Sequence, residues 1–285
     1  MVPLLLLFLT STALGEEKIA TAGGRKGTIG VGVDVASGTY GNETTTRFVA
    51  IPIILQYAPS PRWFLELELP WVYQSNSVTT YGSTGPSREN MSSPGGSVAL
   101  AAAGQHSGGP GGSGQMNLDS DQAQSGIGDA TLAAEYTLLD EEERRPRLGG
   151  LLYLKIPLAD EDKGLGTGEF DEGVGLSLAK THGFAQYFAR GSYIFRGDSA
   201  LYDPKNYLSY SLGISYLVNL DLQAALALTG ATAPFAGAPA PLEAQVRFNY
   251  RISERVRLGG YLGHGLSDGS ADIAAGIRIF RSFNW

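Results

Sequence analysis

WFLELELPW, residues 63–71, decides how this chain folds. Read two at a time, it separates into Trp63, Leu65, Leu67, Leu69 and Trp71 on one side and Phe64, Glu66, Glu68 and Pro70 on the other. A period of two is what a β-strand presents, because successive side chains leave opposite faces of the pleat. On a helix Glu66 and Glu68 would stand about 200° apart and split the apolar surface. The apolar side also carries an indole at each end. Trp favours the two interfaces of a bilayer, whereas the core face of a soluble sandwich rarely holds such bulk at both edges. The stretch predicts a strand with one face in lipid.

The same alternation runs outward in both directions. Upstream lie Ile29, Val31, Val33 and Val35, then Val49, Ile51, Ile53, Leu55 and Tyr57. Downstream the apolar sets start at Ala130, Leu152, Val174, Tyr187, Leu208, Leu222, Leu242, Val256 and Ile273. Counted together they predict an all-β fold: a transmembrane, antiparallel, up-and-down β-barrel of about 12 strands. After the N-terminal run there is no stretch of 18 apolar residues, so any spanning must be done by strands. Links alternate in length. The connection 58–62 is short, whereas 74–124, 160–169, 197–206 and 230–241 are long. This predicts tight periplasmic turns and long outer loops, with both termini in the periplasm.

At the N-terminus, the apolar run Leu4–Leu9 precedes Ser11, Thr12, Ala13 and Gly15, a small-residue cleavage region. The expected organisation is a signal peptide at 1–15, a periplasmic segment at 16–27 and a barrel at 28–285. Within the barrel, the Gly/Ser-rich stretch 74–124 is expected to be an extracellular loop, either outside the pore or folded inward through Val98–Ala103. The last strand ends in Phe283 and Trp285, the aromatic ending by which barrel-assembly machinery recognises a terminal strand. The expected location is the outer membrane of a Gram-negative cell, among its lipids and lipopolysaccharide.

Composition narrows function. The mean hydropathy of -0.05 looks soluble, but alternating strands cancel in any average. With no Cys among 285 residues, disulfides, thiolate metal sites and cysteine nucleophiles are excluded. A formal charge of -7 with no basic block longer than Arg144-Arg145 argues against nucleic acid, which needs a basic stripe.

The inward phase is charged in an ordered way. Asp34, Glu66, Glu68, Asp129 and Glu135 fall in the first strands, and Lys155, Arg190, Arg196, Arg247, Arg257 and Arg278 in the later ones, with Glu243 and Asp272 as exceptions. This predicts an acidic wall facing a basic wall across the lumen, or else charges that pair and brace the barrel. Phe48, Phe64, Phe188 and Tyr261 share that phase and suggest an aromatic lining, or packing. Strand spacing and tilt give a backbone diameter of about 24 Å and roughly 8–12 Å for solute after side chains.

Chemistry is thin elsewhere. His264 with Ser267 and Asp268 is the one serine-hydrolase-like grouping, but all three crowd one short connection, and His106 and His182 have no evident partner. Asp160, Glu161, Asp162, Glu169, Asp171 and Glu172 read as a solvated acidic loop rather than a Ca²⁺ site. Gly164–Gly168 imitates a phosphate loop but opens no helix. No metal, cofactor or catalytic residue is expected.

Three stretches carry a family resemblance: Phe64 to Tyr73 (FLELELPWVY), Gly126 to Leu139 (GIGDATLAAEYTLL) and Leu152 to Gly191, which includes KIPLADEDKGLGTG and the strand Asp171 to Lys180. Together they cover about half of the mature chain, and it resembles the outer-membrane transporter family of the MetA pathway of phenol degradation. The resemblance implies a channel or transporter for small solutes, hydrophobic or aromatic ones among them. The rival expectations are a non-conducting structural or surface-assembly protein and, further off, an outer-membrane lipid hydrolase.

Overall fold

The computed structural model describes residues 26–40, 45–75, 123–198, 204–235 and 237–284. Residues 1–15, most of 74–124, His106 and Trp285 lie outside them. The alternating segments become β1 (Lys26–Gly38), β2 (Thr46–Ser60), β3 (Trp63–Gln74), β4 (Gln124–Ile127), β5 (Ala130–Leu139), β6 (Arg147–Ile156) and β7 (Asp171–His182). They continue as β8 (Ala185–Phe195), β9 (Tyr207–Leu217), β10 (Leu222–Ala231), β11 (Leu242–Arg251), β12 (Val256–Gly265) and β13 (Ile273–Asn284). Each pairs antiparallel with its neighbours, and β1 pairs with both β2 and β13: Val31 faces Ile53 on one side and Ile279 on the other. The sheet therefore closes on itself, leaving no edge strand to satisfy in lipid.

β4 and β5 both pair with β3, so the thirteen segments form a wall of twelve. Trp71 pairs with Ile127 and Glu68 with Thr131, so Leu69 and Pro70 oppose three residues, Gly128, Asp129 and Ala130. That extra residue is a β-bulge, and it switches the inward parity from even to odd positions. Without it Asp129 would point into lipid. Pro70, which has no N–H to give the ladder, sits at this irregularity, and its carbonyl accepts from Gly128 N at 2.8 Å. β4 lies where alternation alone left no strand, and β1 begins at Lys26 rather than at residue 28.

Faces sort as alternation requires. Ile29, Val31, Val33, Val35, Leu67, Trp71, Leu132, Leu176 and Ile277 are exposed on the outside, while their neighbours are buried within. Aromatics collect toward the rims: Trp63 against Tyr136 at 4.9 Å and Phe184 against Tyr216 at 6.4 Å at the short-turn end, and Tyr193 against Phe195 at 5.0 Å at the other. Turns such as Pro61–Arg62 and Gly183–Phe184 are two residues long, and the connections at the opposite end are longer.

The closing seam is tightly filled. A Cβ on Gly276 would run into Asp34 Oδ1 and the Tyr261 ring, whereas one on Gly191 meets nothing nearer than Ser209 O at 4.0 Å. Gly276→Val is expected to lower unfolding stability by about 1–3 kcal/mol through overpacking. Gly191→Val should change it little. Urea unfolding midpoints in micelles check this, and equal losses in both variants would refute it.

Candidate functional site: the barrel interior

Inward charges meet where the two sets adjoin. At the closing seam Arg278 Nη2 lies 2.7 Å from Asp34 Oδ2. On the far side, where β5 meets β6, Lys155 Nζ lies 2.9 Å from Asp171 and 3.5 Å from Asp129, and Arg196 Nε lies 3.3 Å from the same Asp171. Glu135 on β5 reaches Arg190 on β8 at 3.2 Å, passing over two strands. That reach needs small groups beneath it. β6 offers Gly149, where a Cβ would crowd Glu135, and β7 offers Ser177, whose Oγ donates to Glu135 Oε1 at 2.9 Å. Buried charges are tolerated when paired, and each of these has an opposite charge within 3.5 Å.

The remaining inward groups stand on each side of these seams. Gln56 Nε2 donates to Glu66 Oε2 at 2.8 Å, and Glu68 is buried in the same phase. Gln245 Nε2 donates to Glu243 Oε1 at 2.6 Å, and Arg247 Nε donates to Gln245 Oε1 at 2.7 Å. Arg257 is half-buried over the Phe280 ring, 5.4 Å from its centre. Asp272 is exposed in the connection before β13. Phe64, Phe188 and Tyr261 are buried within the barrel, and Phe48 is half-buried against the cluster that holds Tyr261. Of the terminal pair, Phe283 is exposed on the outer face under Arg281.

Sequence reasoning missed the loops. At the long-connection end Tyr40, Phe235, Ala238 and Ala271, from three different links, pack into one apolar cluster with Tyr261. Arg196 stacks on Phe235 at 4.7 Å. Tyr40 has φ 50, and its phenol is held well above the ordinary range, first by burial and then by the negative charges of Glu243 and Asp272. The link 157–170 is not wholly solvated either. Asp160, Glu161 and Asp162 are exposed, yet Gly164–Thr167 is buried, with Leu165 against Ala50 and Val72. Side chains and inturned links therefore enter the space near this end that strand count alone left to a bore of roughly 8–12 Å. The one signal was a lone Leu among glycines, too weak to read by periodicity.

The hydrolase-like grouping does not assemble as a relay. His264 points outward with Nδ1 at 2.8 Å from Asp272 O, while Ser267 Oγ donates to Ala240 O at 2.8 Å. Each serves the backbone of a neighbouring link. No group of three or more metal-ligating side chains gathers among the described residues.

A closed wall, apolar outside and charged inside, defines an outer-membrane β-barrel protein. The chain belongs to the family described as "Putative MetA-pathway of phenol degradation", which matches it over residues 71–283. Among solved structures it is similar to the COG4313 outer membrane channel from Pseudomonas putida F1, with a TM-score of 0.63 at 16% identity over 92% of this chain and 96% of that one. The KdgM porin aligns at a TM-score of 0.51 and 8% identity over 90% of this chain and 99% of that one. At such identities the likeness speaks for the fold. No curated protein matches the chain.

Proposed function

We propose that this protein is a passive outer-membrane channel for small solutes, hydrophobic and aromatic ones included. The observation that carries the reading is the interior itself, a continuous inward face of paired charges, amides, hydroxyls and aromatic rings inside a wall whose other face is apolar. The family description, with its phenol-degrading context, supports an aromatic cargo. In this reading the long-connection end faces outward, the short turns and both termini face the periplasm, and residues 1–15 are removed on export. Phe283 and Trp285 present the last strand to the assembly machinery, and lipopolysaccharide and lipid surround the wall. Transport, not catalysis, is its activity.

Within the lumen, Asp34, Glu66, Glu68, Asp129 and Glu135 form one arc and Lys155, Arg190, Arg196, Arg247, Arg257 and Arg278 the other. The pairs at the two junctions brace the barrel, and the stretches between them set the field a solute crosses. Planar-bilayer recording of the refolded mature chain tests this. Discrete conductance is expected, and Arg190→Ala and Arg247→Ala should each shift the reversal potential toward cations. Unchanged selectivity in both would remove the charge arcs from the account. A non-conducting structural role is favoured by one observation, the burial of Tyr40, Phe235 and Leu165 from the links inside the long-connection end, and a folded barrel that stays silent would establish it.

A further inference from the structure

The connection between β6 and β7 behaves unlike a surface loop. Loops usually run over the outside because buried backbone needs partners. Here Gly164, Leu165, Gly166 and Thr167 are buried inside the barrel, Leu165 fully so. The segment supplies its own partners on the way in: Gly164 N donates to Glu161 O at 2.9 Å, and Leu165 N donates to Asp160 O at 3.1 Å. Gly164 and Gly168 bend the chain at positive φ, 65 and 72, at either end of the buried run. Wall residues hold it there. Asp129 Oδ1 accepts from Ala159 N at 3.1 Å, Gln74 Nε2 donates to Gly164 O at 3.5 Å, and Lys155 Nζ donates to Thr167 Oγ1 at 2.7 Å.

We infer that Leu165 is the size-determining residue of the lumen, carried on a seated loop, 157–170, that must leave its place for larger solutes to pass. The inference rests on the channel reading. Leu165 lies against Ala50 and Val72, with half-buried Phe48 beside them, so its side chain occupies space that solute would otherwise cross. Among the described residues the seat is weak beside the strand ladders around it: Leu165 and Ala159 packed on the wall and three hydrogen bonds to it. Elements held by so few contacts open before the framework does. The outer part, with Asp160, Glu161 and Asp162 exposed, keeps the loop soluble when it swings out. Lys155 couples the seat to the rest of the mouth, because its partner Asp171 also holds Arg196, which stacks on Phe235 of the β10–β11 link.

The chain has no Cys, so Leu165→Cys introduces a single reporter thiol. In vesicles a bulky charged maleimide is expected to label Leu165→Cys about 100-fold more slowly than Asp162→Cys, because only the open loop reacts. Adding Thr167→Val removes the hydroxyl that Lys155 holds and should speed labelling about ten-fold. In planar bilayers Leu165→Ala should raise unitary conductance about two-fold, since the buried side chain that fills the lumen beside Ala50 and Val72 is shortened. Equal labelling of Leu165→Cys and Asp162→Cys would overturn the seated loop. Wild-type conductance in Leu165→Ala would overturn its size-limiting role and leave the channel reading intact. Silence of both wild type and Leu165→Ala, with slow labelling kept, would instead bring down the channel reading and this inference with it.

Discussion

Lys155→Met is expected to lower the unfolding free energy of the refolded barrel by about 3–5 kcal/mol, the usual cost of removing one partner from a buried ion pair. Lys155 is 1% exposed at its side chain and stands between Asp129 and Asp171, which are 5% and 1% exposed. Methionine fills similar space, so the change tests charge rather than packing. Two carboxylates would be left in a site with little solvent, with Arg196 still touching only one of them. Asp129→Asn combined with Lys155→Met should recover part of the loss, and the full cycle isolates the coupling between these contacting residues. Equilibrium urea unfolding in micelles reads it. A loss below about 1 kcal/mol would place the cluster in well-solvated lumen, where ion pairs contribute little.

Much of this architecture was legible because a strand writes its two faces into alternate letters. Residues 63–71 told which side of β3 meets lipid, and the inward phase of Asp34, Glu66, Lys155 and Arg190 followed from the same parity. Periodicity names a face but not a neighbour. That Asp34 meets Arg278, 244 positions away, follows from closure. That Glu135 reaches past two strands to Arg190 depends on Gly149 and Ser177 lying low between them. The bulge at Gly128–Asp129 keeps Asp129 inward while β4 counts on the opposite parity, so alternation alone lost β4. Links have no period at all. Tyr40, Leu165 and Phe235 each lie in a connection without alternation, and only three-dimensional convergence makes them part of the lumen. The strand count gave a backbone diameter, which is silent on how far loops and long side chains reach in.

Leu226→Arg tests the other face, and about 2–4 kcal/mol of stability is expected to go with it. Leu226 stands midway along β10, exposed on the outside, with Ile214 and Val246 beside it in register on β9 and β11. Neither of its strand partners is aromatic. Leu222, nearer the short turns, pairs with Tyr250 instead. An arginine there is too far from either rim to keep its guanidinium in headgroups without thinning the bilayer or dragging water in. One residue on, Ala227 is buried toward the lumen, so the contrast between adjacent positions is a contrast between solvents. Leu226→Phe keeps the surface apolar and should leave stability nearly unchanged. The comparison belongs in lipid vesicles, because a detergent micelle deforms around the charge and shrinks the effect. Should Leu226→Arg refold in vesicles with the same midpoint as Leu226→Phe, this face of β10 does not lie in hydrocarbon, and a membrane-spanning wall loses its support.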